Sequence, residues 1–205
     1  MSNLFEQLAQ LPIVSIDIEG DGGQPPRIVE ISTVKLEKMQ ISDDKTWLLD
    51  PGRPIASYAQ KVHGIRDVDV ESAPRLSQIE GEVKRIISGK YLLAHNASVE
   101  ISVLSRSFPD WQPVGVIDTL KLSRMISPRM SSHKLGSLIN HYDIESQIGE
   151  KAATGPHRAF YDALATIYLF FELVAEAAEQ GLPIAKIAIV PDSGEEDEAP
   201  QMELF

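Results

Sequence analysis

The chain has 205 residues, of which 43% are apolar, and a net charge of −11. This length allows one well-packed domain, and the absence of cysteine excludes disulfides, thiolate metal sites and cysteine nucleophiles. No apolar run approaches the length of a membrane span, and the first residues lack the pattern of a signal peptide. We therefore expect a soluble, cytoplasmic protein.

The first third of the sequence predicts strands. Residues 11–19 form an apolar run that ends in a glycine-rich turn. The β-rich runs 27–36 and 41–49 predict an antiparallel continuation of the same sheet. Because side chains alternate along a strand, Asp17 and Glu19 are expected to project from one face. Two carboxylates at a strand end suit Mg²⁺ or Mn²⁺ better than zinc, although such a pair is more often ordinary polar surface.

The rest of the chain predicts alternating helices and strands. The expected elements are a helix over 75–88, a strand over 91–94, a helix to about 108, a strand over 114–117, a helix from 118 and a last helix over 156–180. Strands followed by this alternation predict an α/β fold with a mixed sheet flanked by helices.

Charge is unevenly distributed along the chain. Residues 191–205 contain six acids and no Lys or Arg, and the remaining residues carry 24 acids and 19 bases. Residues 119–142 contain no acid but carry four bases, namely Lys121, Arg124, Arg129 and Lys134. Such a stretch suits a phosphate backbone; the alternative is a solvated surface of helix and loop.

A histidine and an acid lie close together at the start of the last predicted helix. His157 and Asp162 are about 500° apart if both are helical, so they do not share a helix face. A histidine in a frayed first turn, with Asp162 anchored deeper, can accept a proton from water near neutral pH. The alternative is a capping or surface histidine.

Taken together, these motifs resemble the DEDDh (DnaQ-like) family of 3′→5′ exonucleases, in particular its exonuclease X-like branch. The main matches are Asp17-Ile18-Glu19, His95-Asn96-Ala97 with Glu100, and His157 with Asp162-Ala163. Secondary matches are Ile28-Val29-Glu30-Ile31, Val62-His63-Gly64-Ile65, Asp118-Thr119-Leu120 and His133-Lys134-Leu135. The resemblance covers about residues 11–175.

The resemblance implies a ribonuclease H-like exonuclease fold with a mixed five-stranded sheet, and two divalent cations, Mg²⁺ or Mn²⁺. The metal ligands would be Asp17, Glu19, Glu100 and Asp162, with His157 as the general base for the attacking water. The substrate-binding residues would be Gly20, Asp21, Gly22, His63, His95, Asn96, Lys121, Arg124 and Lys134, with the turn from Gly20 to Gly22 beside the terminal nucleotide.

Two positions depart from the family pattern. Glu100 stands where the family has Asp, and Gly20 stands where it has Thr. The longer Glu100 side chain and the missing hydroxyl could tune or weaken activity. We therefore keep two alternatives to a DNA exonuclease, namely an RNA 3′-trimming exonuclease and a catalytically weakened clamp-binding adaptor.

The last five residues, Gln201-Met202-Glu203-Leu204-Phe205, resemble the bacterial sliding-clamp-binding pentapeptide, in which Gln201, Leu204 and Phe205 would be the anchors. We expect an exonuclease domain over residues 1–190 and a disordered acidic tail over 191–205 that supplies reach. The alternative is an apolar chain end with no partner.

The resulting prediction is a metal-dependent 3′→5′ exonuclease that releases nucleoside monophosphates from DNA 3′ ends, single-stranded or frayed, during replication or repair. Its expected partners are DNA and the bacterial sliding clamp, with no membrane. A homodimer is allowed because related enzymes are often dimers.

Overall fold

The computed structural model describes residues 4–190, in which five strands form one mixed sheet with the spatial order β3-β2-β1-β4-β5. The strands are β1 (Ile13–Gly20), β2 (Ile28–Glu37), β3 (Gln40–Leu48), β4 (Tyr91–Ala94) and β5 (Gly115–Asp118). The first three pair antiparallel, whereas β4 runs parallel to β1 and β5 runs parallel to β4. The predicted α/β fold with a mixed five-stranded sheet is confirmed.

The described helices are α1 (Leu4–Leu8), α2 (Ser57–His63), α3 (Asp67–Val70), α4 (Leu76–Ile87), α5 (Ala97–Ser107), α6 (Thr119–Ile126), α7 (Leu135–Tyr142), α8 (Glu145–Gly149) and α9 (Ala159–Glu179). The structure contains the predicted helices now labelled α4, α5 and α6. The last helix begins at Ala159 and not at Pro156, because His157 has a left-handed backbone (φ 61°) and Arg158 is extended. That conformation interrupts a helix.

The two faces of the sheet are covered by different helices. One apolar cluster packs α9 against Ile13 and Leu93, and another packs α4 and α5 against Val14 and Ile16. Ser15, which lies on the α9 face of β1, donates a buried hydrogen bond of 2.8 Å to the Ala163 carbonyl. Strand alternation therefore directs the side chains two and four residues beyond Ser15 toward the start of α9.

The predicted acidic tail, residues 191–205, lies outside the described residues, as do its proposed anchors Gln201, Leu204 and Phe205. Within residues 4–190, no helix is long and apolar enough to cross a membrane.

Candidate metal centre

Three carboxylates meet where the end of β1 faces the start of α9. Asp17 and Glu19 come from β1, and Asp162 comes from the first turn of α9. Each offers one oxygen to a group whose members all lie within 4.8 Å of one another. The position follows from the packing of β1 on α9, since Ser15 and Ala163 each lie one or two residues from a member of the group.

Glu100 approaches the same region from the first turn of α5 but does not belong to the group of three. Its side chain is buried, and its Oε2 atom has no hydrogen-bond partner within the described part of the chain. Burial and then the charge of Glu19 raise the pKa of Glu100 to about 8. A buried carboxylate oxygen without a partner is unfavourable unless a cation or water completes its environment.

The pKa values of the other carboxylates also indicate that the site needs a cation. Burial, together with the charges of Glu100 and Asp162, raises the pKa of Asp17 well above its ordinary value. Burial and the charge of Asp162 raise the pKa of Glu19 to about 8, and burial also raises the pKa of Asp162. Four carboxylates that cannot all ionise in proximity, with an oxygen-only donor set, fit divalent cations of the magnesium type.

A buried ion pair fixes the start of α9, and the sequence pattern gave no sign of it. The Glu30 side chain on β2 is only 2% exposed and accepts bonds of 3.0 and 2.5 Å from Arg158 Nε and Nη2. It also accepts a 2.8 Å bond from the Ala159 N–H. Glu30 lies opposite Glu19 in the sheet register, and Arg158 lowers the pKa of Glu19 against its other neighbours. The positive charge of Arg158 therefore partly offsets the repulsion of Glu19 by Glu30.

His157 lies at the surface of the cleft, next to the cluster. Its main-chain N–H donates a 3.0 Å bond to Asp162 Oδ2, so the left-handed backbone at His157 helps to orient that carboxylate. The ring is exposed and lines a cavity together with Asp162. The sequence predicted His157 in the frayed first turn of a helix that begins at Pro156, and the structure places it just before the helix.

The turn after β1 is held by Asp21. Its buried carboxylate accepts bonds from the main-chain N–H groups of Gly23 and Arg27 and from the Arg53 guanidinium. Burial alone raises the pKa of Asp21, but these donors outweigh it and leave the pKa below the usual value. The side chain therefore serves the turn, and its predicted contact with substrate stays a prediction.

Two neighbouring contacts fix the shape of this turn. Gly22 has a φ of 77°, and a Cβ there would lie 2.8 Å from the Tyr58 ring. The Tyr58 hydroxyl donates to the Gly22 carbonyl at 2.5 Å. His63, which is buried, lies 3.3 Å from the Gly20 carbonyl through Nε2, while its Nδ1 accepts from the Ile65 N–H. Nε2 is therefore the protonated nitrogen.

The start of α5, which carries Glu100, is fixed by Asp118 at the end of β5. The Asp118 carboxylate accepts bonds from the main-chain N–H groups of Asn96 and Ala97, and it also caps α6. Beside it, both ring nitrogens of His95 are engaged, with Thr119 Oγ1 at 2.9 Å and the His133 carbonyl at 3.0 Å. Asp118 and His95 thus position this end of the cleft.

Two cavities flank the carboxylates. A cavity of about 400 Å³, here called the terminal cavity, is lined by Glu19, Gly20, Gly22, His63 and Glu100. Three exposed apolar side chains, Tyr58, Val62 and Val99, also line it. Val62 lies within one of the secondary family matches, but the sequence gave none of the three a role in binding, because single apolar residues carry no functional signal.

On the other side of the carboxylates lies a cavity of about 1050 Å³, here called the strand cavity. It is lined by His95, Asn96, Arg124, Lys134 and His157, among others. Lys121 is exposed on α6 and does not line it. The structure therefore brings together part of the predicted basic stretch.

A mixed five-stranded sheet with clustered carboxylates beside a histidine is typical of nucleases that use divalent metals. A family model described as an exonuclease, the RNase T model, matches residues 14–170. The chain belongs to this exonuclease family, and the predicted DEDDh (DnaQ-like) membership is confirmed.

Similar proteins include the PolC-type DNA polymerase III of Bacillus subtilis (strain 168), which is 32% identical over 160 residues, or 76% of this chain. The PolC-type enzyme of Halalkalibacterium halodurans is 29% identical over 181 residues, or 85% of this chain. The chain spans only 11% and 12% of the length of these two relatives.

Among solved structures, exonuclease X in complex with 5′ overhanging duplex DNA matches with a TM-score of 0.66 and 26% identity, over 86% of this chain and 97% of that one. E. coli exonuclease I in complex with a dT13 oligonucleotide matches with a TM-score of 0.68 and 16% identity, over 84% of this chain and 43% of that one. The latter likeness concerns the fold alone.

The raised pKa of Glu100 predicts how stability depends on pH in metal-free buffer. Because the folded-state pKa of about 8 exceeds the ordinary 4.5, the contribution of Glu100 to stability is present at low pH and is lost as pH rises through about 8. Glu100→Gln imitates the protonated form. We expect thermal unfolding of parent and variant to coincide near pH 5 and the variant to unfold roughly 5 °C higher near pH 9.

Glu37→Gln, at an exposed site on β2, is the matched control and should follow the parent at every pH. If the unfolding temperature of Glu100→Gln also follows that of the parent from pH 5 to pH 9, the pKa of Glu100 is not raised as described.

The ion pair of Glu30 with Arg158 predicts a non-additive pair of substitutions. Arg158→Gln leaves a buried carboxylate without its partner and should lower the free energy of unfolding by about 2 kcal/mol or more. Adding Glu30→Gln removes that stranded charge, so urea denaturation should show the double variant to be more stable than Arg158→Gln alone. Additive losses would argue against the pair.

Proposed function

We propose that the protein is a metal-dependent 3′→5′ exonuclease that releases nucleoside monophosphates from DNA 3′ ends. The observation that carries the proposal is the group of Asp17, Glu19 and Asp162, with three ligand oxygens within 4.8 Å of one another. Glu100, with its unpartnered buried oxygen, supports a site that gains cations before it acts.

In the proposed site, Asp17, Glu19 and Asp162 hold the divalent ions, and Glu100 completes the set from α5. Bound ions of this kind activate water and stabilise the charge that develops on the phosphate and the leaving oxygen. Glu100 is buried, and Asp17, Glu19 and Asp162 are half-buried, so the dielectric at the site is lower than that of water and the attraction for Mg²⁺ or Mn²⁺ is stronger.

His157 is proposed as the general base. Its ring is exposed in the cleft beside Asp162, so it can accept the proton of the attacking water and pass it to solvent. Its backbone bond to Asp162 keeps this base at a fixed place relative to the carboxylates.

The two cavities suggest how a strand is held. We place the 3′-terminal nucleotide in the terminal cavity, where Gly20 and Gly22 allow close approach and Tyr58, Val62 and Val99 present apolar surface to a base. The preceding phosphates would follow the strand cavity past Asn96, Arg124 and Lys134. In this pose the scissile bond lies at the carboxylates between the cavities.

DNA is favoured over RNA as the substrate because of three similar proteins. The curated relatives above are DNA polymerases III, and the exonuclease X structure above contains duplex DNA. An RNA-trimming enzyme is the alternative, and RNA is therefore included in the test below.

Asp17→Asn tests the proposed activity. With Mg²⁺ or Mn²⁺, the parent should shorten a 5′-labelled single strand from its 3′ end and release mononucleotides. The variant should be slower by about a hundredfold or more. Because the substitution removes a repelling charge, the metal-free variant should unfold at or above the temperature of the parent, which separates lost chemistry from lost folding.

Asp44→Asn, an exposed position on β3, is the matched control and should keep the parent's rate. If the parent leaves DNA of every form intact but degrades RNA, the trimming alternative replaces the proposal. If parent and Asp17→Asn are equally inert on both nucleic acids, the enzyme proposal fails.

We also propose that residues 1–190 form the exonuclease domain and that residues 191–205 recruit it to a bacterial sliding clamp through Gln201, Leu204 and Phe205. The support is the sequence of the tail, in which two apolar anchors follow an acidic segment.

Leu204→Ala/Phe205→Ala should lower affinity for a purified clamp by at least about tenfold, because the apolar anchors are removed. Hydrolysis of a short free oligonucleotide should stay within about twofold of the parent. Met202→Ala, within the same segment, is the control for a nonspecific effect. Clamp binding that survives removal of both anchors would refute the recruitment.

A further inference from the structure

A third cavity, of about 660 Å³, is unusually rich in arginine for a chain of net charge −11. Its lining includes Arg27, Arg53, Arg75 and Arg106, against a single acid, Asp50. The terminal cavity and the strand cavity have no such excess of positive charge. We call this third space the arginine cavity.

Two of the four guanidinium groups are engaged with carboxylates. Arg53 pairs with the buried Asp21, and Arg75 lies 3.3 Å from Asp50. Arg27 and Arg106 form no ion pair within residues 4–190.

The two arginines without an ion pair bond only to neutral groups. Arg27 donates to the Pro51 carbonyl at 2.8 Å, and Arg106 donates to Ser102 Oγ at 2.7 Å. A guanidinium has five N–H donors, so both retain donors for a further acceptor. Gathered positive charges with spare donors are suited to phosphate groups.

The arginine cavity continues the terminal cavity. Pro26, Arg27 and Ile28 line both. Along α5, Glu100 lies at the terminal cavity, and Arg106 lies at the arginine cavity, six residues further on. Six helical residues span about 9 Å, so the two cavities lie next to each other along α5.

We propose that the arginine cavity binds backbone phosphates of the strand that is not cut, where that strand continues past the 3′ end as a 5′ overhang. This inference rests on the proposed function. The cut strand ends in the terminal cavity, so its own phosphates stop before the arginine cavity. The opposite strand of a recessed duplex is the part of the substrate that extends beyond that end.

The test measures equilibrium binding of fluorescent duplexes that share one recessed strand and differ only in overhang. All proteins carry Asp17→Asn so that DNA stays intact. The duplexes are blunt, or have a 5′ overhang of about one nucleotide, which is shorter than the roughly 9 Å above, or of about six nucleotides, which is longer. We expect the long overhang to bind about tenfold more tightly than the blunt end, and the short overhang to resemble the blunt end.

Arg75→Gln/Arg106→Gln should abolish this preference while affinity for the blunt duplex stays within about twofold. The salt dependence for the long overhang should become shallower by about 1.4 in log–log slope, or about 0.7 for each single-strand phosphate that is no longer neutralised. Arg75 and Arg106 are chosen because Arg27 also lines the terminal cavity and Arg53 holds the turn.

The matched control, Arg85→Gln/Lys186→Gln, removes two exposed charges outside the described cavities and should keep the preference.

A preference that survives Arg75→Gln/Arg106→Gln would overturn the proposal, as would an equal loss of affinity on blunt and overhanging DNA. A third result would also overturn it. If short and long overhangs bind equally well, and free nucleoside monophosphate abolishes their advantage over the blunt duplex, the arginine cavity binds the product instead. Hydrolysis of a single strand by the protein with Asp17 intact is measured in parallel. If the protein hydrolyses a single strand but shows no preference for an overhang, only the proposed role of the arginine cavity is overturned. If it does not hydrolyse a single strand, the proposed function is overturned.

Discussion

Repulsion among four buried or half-buried carboxylates is the constraint on which the rest of this structure depends. Asp17, Glu19, Glu100 and Asp162 each have a raised pKa, with burial as the largest cause and neighbouring negative charge adding to it for the first three. Such a cluster opposes folding unless protons or cations neutralise it. An otherwise well-packed protein retains such a cluster because its function requires concentrated negative charge.

Buried hydrogen bonds and an ion pair hold the elements that carry these carboxylates in place despite that repulsion. Ser15 holds β1 to α9 through the Ala163 carbonyl, and Glu30 holds Arg158 and Ala159 at the start of the same helix. Asp118 fixes the start of α5, from which Glu100 projects. Each carboxylate is thus carried by a rigid element with its own buried polar anchor, and preorganisation of this kind is what an electrostatic active site requires.

Sequence predicted the parts of this arrangement that depend on local pattern. Alternation placed Asp17 and Glu19 on one face of β1, and the longer helices and strands were found from their periodicity. The spacing of His157 and Asp162 drew attention to that pair, whereas the family resemblance assigned the metal-binding roles of Glu100 and Asp162.

What sequence could not supply depends on distant contacts. Glu30 and Arg158 are 128 residues apart, so only the folded chain reveals their pairing. The left-handed backbone of His157 is likewise seen only in the folded chain, and because of it α9 begins at Ala159 and not at residue 156. The short helices α2, α3 and α8 have four to seven residues each, too few turns to produce a periodic signal.

We propose that the carboxylate cluster takes up divalent cations by exchanging them for protons. Calorimetric titration of Mn²⁺ into the parent at pH 7, in buffers of different ionisation enthalpy, measures both quantities at once. We expect saturable binding with release of roughly one to two protons per chain, because groups with a pKa of about 8 are mostly protonated at that pH. Absence of binding at millimolar Mn²⁺, or binding without proton release, would contradict this claim.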